Sequence, residues 1–185
     1  MGCGRTDSGV HSNDFYLHFD VEKKMDPNTL VYRLNSILPN SIAIKKVFKV
    51  HENAHARFDA SSRTYRYYIN HLKKPFETDT SWYLYNTKLD VGKMNQAAEL
   101  LLKVNDFSAF EKVGSDNSTS ICKVTFAEWF KNQDEMYFEI RADRFLRNMV
   151  RAIVGTLIEI GKGKIDINEF KTIIESKDRS NSGAS

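Results

Sequence analysis

From Leu146 to Ile160 the chain carries Leu146, Met149, Val150, Ile153, Val154, Leu157, Ile158 and Ile160, which cover much of a helix's circumference. A helix apolar on most sides cannot face water, so other elements must surround it. Asp143 stands before it as a cap. Arg151 sits among the apolar positions. A guanidinium there keeps its proton and requires a buried anion or a path to water. Gly155, one turn on, leaves room for another segment to approach. With 185 residues the chain fits one domain or two small packed lobes. It can bury roughly 70% of its extended surface.

The other elements follow from periodicity and caps. Phe15, Leu17, Phe19 and Val21 alternate with polar neighbours, a strand pattern over 14–21. Asp26-Pro27 opens a helix whose apolar face is Leu30, Val31, Leu34, Ile37 and Leu38, stopped by Pro39. Residues 42–50 are rich in β-branched residues and lysines and read as a second strand, with Lys45, Lys46 and Lys49 on a solvated face as the main reading and facing RNA phosphate as the other. Residues 63–71 read as a strand with Tyr65, Tyr67 and Ile69 on one face and Arg66 and Tyr68 on the other. Arginines interleaved with tyrosines there fit base stacking as well as core packing. Asp90 caps a helix carrying Val91, Met94, Ala97, Ala98, Leu101 and Leu102. Phe107 and Phe110 anchor a tight turn in the core, and Glu111–Thr119 reads as a loop. Two alternating stretches, 120–130 and 135–141, flank Lys131-Asn132-Gln133-Asp134 as a hairpin. Asp166 and Glu169 form a capping box before Phe170, Ile173 and Ile174.

Net charge is +3, compatible with a nucleic-acid partner but no argument for one. Cys3 and Cys122 lie far apart, with neither metal-ligand nor disulfide-framework spacing, and read as reduced cytosolic thiols. No basic-then-apolar leader pattern is present. No apolar run reaches the ~20 residues of a membrane span. The expected location is the cytoplasm.

The densest chemistry lies in Gly2-Cys3-Gly4-Arg5-Thr6-Asp7-Ser8-Gly9-Val10-His11. The glycines allow tight turning and close approach of another molecule. Asp-Ser-Gly is turn chemistry, so Asp7 belongs on a bend, and capping that bend is by itself a sufficient role for it. A phosphate loop does not fit: the third glycine is misplaced, no Lys-Ser/Thr follows, and no strand precedes. His51-Glu52-Asn53-Ala54-His55 spells H-E-x-x-H, which on a long helix binds zinc. Here it lies between strand-like stretches with no third ligand in place. A zinc hydrolase at His51 and His55 is therefore the minor alternative.

The Gly2–His11 stretch resembles the signature of the tRNA pseudouridine synthase A (TruA) family, G-x-G-R-T-D-x-G-V-H. His55-Ala56-Arg57-Phe58 with Arg63-Thr64-Tyr65-Arg66-Tyr67 is similar to its H-A-R-F…R-x-Y-x-Y block. Asp106-Phe107-Ser108-Ala109-Phe110 is similar to D-F-x-x-F, and Phe145–Arg151 with Gly155 to F-L-x-x-M-V-R-x-x-x-G. In the family a strand and helices precede the signature, and a further segment and strand follow the last motif. By that resemblance the chain reads as truncated at both ends.

The resemblance implies an α+β fold: antiparallel or mixed sheets of two related lobes joined side by side, with helices on one face. Residues 1–55 would be the remainder of the N-terminal lobe with the catalytic loop, and 56–185 the C-terminal lobe. It implies conversion of uridine to pseudouridine at nucleotides 38 to 40 of the tRNA anticodon arm, without metal or cofactor, by a homodimer. Among the site residues Asp7 would be the nucleophile, Arg151 its ion partner and Tyr65 the active-site tyrosine. Arg5 would fill the place of a flipped base, with Thr6, His11 and Arg63 also on the substrate side. A non-catalytic tRNA-binding module of the same fold is the other reading.

Overall fold

The computed structural model describes residues 1–132 and 135–183. Gln133 and Asp134 of the expected hairpin loop, and Ala184 and Ser185, lie outside the described residues. The chain divides into two compact units. One comprises Met1–Asp7 with Ser12–Ala60; the other comprises Ser8–His11 and the chain from Ser61 onward.

The second unit is α+β. Among the described residues its strands β1 (Arg63–Asn70), β2 (Trp82–Tyr83), β3 (Val124–Lys131) and β4 (Met136–Ala142) form one sheet in the order β2-β1-β4-β3. β1 and β3 run antiparallel to β4, and the two-residue β2 runs parallel to β1, so the sheet is mixed. A bulge between Val124 and Phe126 shifts the β3 register. Strand alternation sorts the side chains as expected. Ile69, Ala127, Trp129, Phe138 and Ile140 are buried on one face, while Arg66, Glu128 and Arg141 are exposed on the other.

The helices named α1 (Pro27–Ile37), α2 (Val91–Leu101), α3 (Met149–Gly161) and α4 (Ile167–Ser176) start largely where side-chain caps put them. Asp26 accepts from Thr29 N–H, and Asp90 from Lys93 N–H. Asp166 and Glu169 make the reciprocal box. α2 packs on β3, and α3 on α2. Met94, Ala97, Ala98 and Leu101 are fully buried, as are Phe107 and Phe110. α3 buries Met149, Ala152, Ile153, Val154, Thr156, Leu157, Ile158, Ile160 and Gly161. Each of its large apolar side chains contributes ~1.5–3 kcal/mol of burial, which makes α3 the centre of the core.

α3 departs from expectation at its start. Asp143 does not cap it; the helix begins at Met149 after Asn148, which is left-handed at φ 67°. The Asp143 carboxylate is already used by the N–H groups of Lys123 and Arg144, at 2.8 and 2.7 Å. Its carbonyl is held by Arg63 at 2.8 Å, so residues 143–148 form an irregular connection. Arg151 is exposed on α3, so it has a path to water. Leu102 ends α2 as an exposed C-cap and not as a core residue.

The first unit also differs from its periodicity. The stretch 14–21 forms no strand beyond an isolated bridge of Leu17 to Gly2, and 42–50 forms none. Cys3 N–H donates to the Tyr16 carbonyl and His18 N–H to that of Met1, a short antiparallel contact that ends before Arg5. In the other stretch both main-chain groups of Ile44 are taken by the Asn35 side chain, at 2.7 and 2.9 Å. A ladder cannot use groups already bonded. The apolar face of α1 is present but holds no buried residue, and Ile37 is exposed.

Candidate functional site

Arg5, Thr6 and Asp7 run consecutively and exposed into a turn at Ser8-Gly9, where Gly9 has φ +80°. That left-handed angle is why glycine follows Asp-Ser here. Asp7 thus leads into a bend, as its sequence context predicts. It belongs to the first unit; Ser8–His11 group with the second, and His11 is exposed.

The second unit gathers three of the expected residues. Tyr65, on the helix-facing side of β1, meets Phe145 edge to face with centroids 5.0 Å apart. Arg63, two residues earlier on the same side, fastens the Asp143 carbonyl and so holds the start of the segment that carries Phe145. Tyr67, two residues further along β1, has its phenol pushed up by burial, an effect partly offset by the positive charge of Arg151. Arg63, Tyr65 and Tyr67 on one face of β1 thus lie toward the entry to α3, with Phe145 against Tyr65 and the charge of Arg151 felt at Tyr67. Tyr65 and Phe145 are half-buried against the core, and Arg151 is exposed. These residues combine aromatic rings with positive charge, which suits a base attached to a phosphate backbone.

Phe145 is the one of these residues to which the sequence pointed no role; its signal is its position at the head of F-L-R-N-M-V-R.

The H-E-x-x-H reading fails on local structure. Residues 51–58 form successive turns, not a helix. His55 Nδ1 accepts from the N–H groups of Arg57 and Phe58, at 3.2 and 3.1 Å. His18 Nδ1 accepts from Ala56 N–H at 2.9 Å, and the two imidazoles lie 4.7 Å apart. The histidines shape the His55–Phe58 turn. Among the described residues no His, Cys, Asp and Glu cluster could hold a metal. Cys122 is buried, which raises its thiol to about 11 and leaves it inert. No helix among the described residues is long and apolar enough to cross a membrane.

Comparison with known proteins is consistent along the whole chain. A family model described as tRNA pseudouridine synthase matches residues 97–185. A protein of Bacteroides fragilis named tRNA pseudouridine synthase A is 46% identical over all of this chain and 74% of its own length. Its namesake in Azobacteroides pseudotrichonymphae is 49% identical over 96% of this chain and 71% of its own. One from Clostridium acetobutylicum is 37% identical over 99% of this chain and 75% of its own. Similarity of that depth and coverage, on a mixed-sheet α+β unit, decides the matter: the chain belongs to the tRNA pseudouridine synthase family.

Proposed function

We propose that this chain is a tRNA pseudouridine synthase, an isomerase acting on uridine in the anticodon arm at nucleotides 38 to 40. The observation that carries the reading is its 46% identity, over the full chain, to a protein named for that activity. The reaction breaks N1–C1′, turns the uracil, and joins C5 to C1′; the proton on C5 leaves and N1 gains one. No redox partner is needed. Asp7 is the nucleophile. Arg151 is its ion partner, because a nearby guanidinium favours the ionised carboxylate. Tyr65 packs on the uracil. Arg5 fills the place of the extruded base, whose unstacking costs a few kcal/mol. Thr6, His11 and Arg63 flank the substrate. The functional division falls near residue 55, with 1–55 carrying the catalytic loop and 56–185 the tyrosine and arginine. The working molecule is a cytoplasmic homodimer.

The test is release of label from tRNA transcribed with uridine tritiated at C5. Release that follows the tRNA and the protein supports the reading. Tight tRNA binding without release would identify a binding module instead.

A further inference from the structure

Asp143, the residue that follows β4, is tied to the chain on both sides of it. Its N–H donates to the Lys123 carbonyl at 3.2 Å, and its Oδ1 accepts from the Lys123 N–H at 2.8 Å. The same Oδ1 accepts from the Arg144 N–H at 2.7 Å. Its carbonyl accepts from Arg63 Nη1 at 2.8 Å. The chain leaving β4 is therefore held on one side to the residue before β3 and on the other to the first residue of β1.

Phe145 comes two residues later. Its ring meets Tyr65 with the two planes at 87°, and an edge-to-face contact favours one orientation of each ring. Tyr65 pairs with Ile140 in the ladder, so its main chain is fixed, whereas its ring plane depends on what packs against it. Residues 143–148 are neither helix nor strand, so no ladder holds Phe145 in place. Leu146 is buried and sets the depth of this segment. Asp143 sets the direction from which it arrives.

Asp143 and Lys123 are exposed and Arg144 is half-buried. Without the carboxylate, the N–H groups of Lys123 and Arg144 turn to water, and no buried polar group is stranded. The loss therefore bears on geometry more than on stability. Geometry is where a reacting centre is sensitive: a misplacement of about 1 Å can cost on the order of 10²-fold in rate.

We propose that Asp143 is a positioning residue of the isomerase: acting through Phe145, it sets the plane in which the Tyr65 ring meets the uracil. The inference rests on the isomerase reading above and on the place of Tyr65 in it. Tritium release by the full chain tests it, with Asp143→Ala, Asp143→Asn, Phe145→Leu and the Asp143→Ala/Phe145→Leu double variant. Asp143→Ala should lower kcat at least ~10-fold, with KM and melting temperature close to wild type. Asp143→Asn keeps Oδ1 as an acceptor and should restore kcat to within about twofold of wild type. The double variant should be no slower than the slower single variant, because both changes break one line of contacts. Nuclear Overhauser contacts between the Tyr65 and Phe145 rings should be present in wild type and lost in Asp143→Ala. Full kcat in Asp143→Ala, persistence of those ring contacts, an Asp143→Asn as slow as Asp143→Ala, or additive losses in the double variant would each overturn the positioning role and leave the isomerase standing. A large fall in the melting temperature of Asp143→Ala would assign the residue to the fold, again against the proposal. A wild type that releases no tritium defeats the isomerase reading and this inference with it.

Discussion

The side chain of Asn95 on α2 bonds both main-chain groups of Trp129 on the edge strand β3. Its Oδ1 accepts from the Trp129 N–H at 2.7 Å, and its Nδ2 donates to the Trp129 carbonyl at 3.1 Å. Asn35 on α1 treats Ile44 the same way in the other unit. An amide offers one donor and one acceptor in the geometry of a neighbouring strand, so each asparagine locks a helix to an extended segment. Asn95→Ala removes both bonds and strands polar groups beside a nearly buried tryptophan. It should cost ~1–3 kcal/mol, read as a lower urea midpoint at constant slope. Asn95→Asp keeps the acceptor and should cost less.

Chemistry should depend on Asp7 far more than binding does. Asp7→Asn removes the nucleophile while keeping the size of the side chain. Tritium release should fall at least ~10³-fold, with tRNA affinity within about threefold of wild type. Retained turnover would end the nucleophile assignment. Because Arg151 is exposed, Arg151→Leu should leave the melting temperature within a few degrees of wild type and still suppress turnover. A large drop in melting temperature would show that the arginine serves the fold.

Tyr65 touches Phe145 through its ring, so Tyr65→Phe should preserve the edge-to-face contact and the stability. Turnover should fall if the hydroxyl handles a proton. An unchanged rate together with a slower Tyr65→Leu variant would make the ring a platform only.

Asp106 is held at about 2 by the Lys177 ammonium 2.8 Å away, then by hydrogen bonds from Ser108. Its folded value lies below the ordinary carboxylate value of 3.8. Its stabilising effect is therefore full above about pH 4 and is lost as the pH falls through about 2. Urea unfolding of the wild type against Asp106→Asn should show a gap at pH 6 that closes toward pH 2. A gap independent of pH would mean that the ion pair contributes nothing.

Gly183 lies against α3. Its N–H donates to Thr156 Oγ1 at 2.9 Å, and a Cβ there would come within 2.7 Å of the main chain at Gly155 and Thr156. Backbone cannot yield as a flexible side chain can, so Gly183→Ala should detach this segment and lower stability by ~1–3 kcal/mol. Thermal melts of Gly183→Ala and Thr156→Val should show similar losses, smaller than their sum when combined.

What sequence reveals here is governed by range. Asp26, Asp90 and the Asp166–Glu169 box act over three residues, so the starts of α1, α2 and α4 are readable from spacing alone. The alternation of Tyr65, Tyr67 and Ile69 is equally local, and it puts the three on one side of β1. The entry to α3 was misread because Asp143 is claimed by Lys123 and Arg63, twenty and eighty residues away. The stretch 42–50 has strand composition, yet a side chain on α1 takes its central bonding groups. For Arg151 the spacing leaves a buried anion and a path to water both open, because helical periodicity counts neighbours and not the gap between elements. The role of Gly155 as a landing place was foreseeable; that Gly183 occupies it was not.

No residue of Met1–Asp7 or Ser12–Ala60 is buried, whereas α3 alone buries nine. During synthesis these coreless residues leave the ribosome well before Met149–Gly161 exists to organise an interior. For that interval Phe15, Phe19, Phe48 and their neighbours are open to chaperones and to one another. The nascent chain is thus open to aggregation and proteolysis until Met149–Gly161 has emerged.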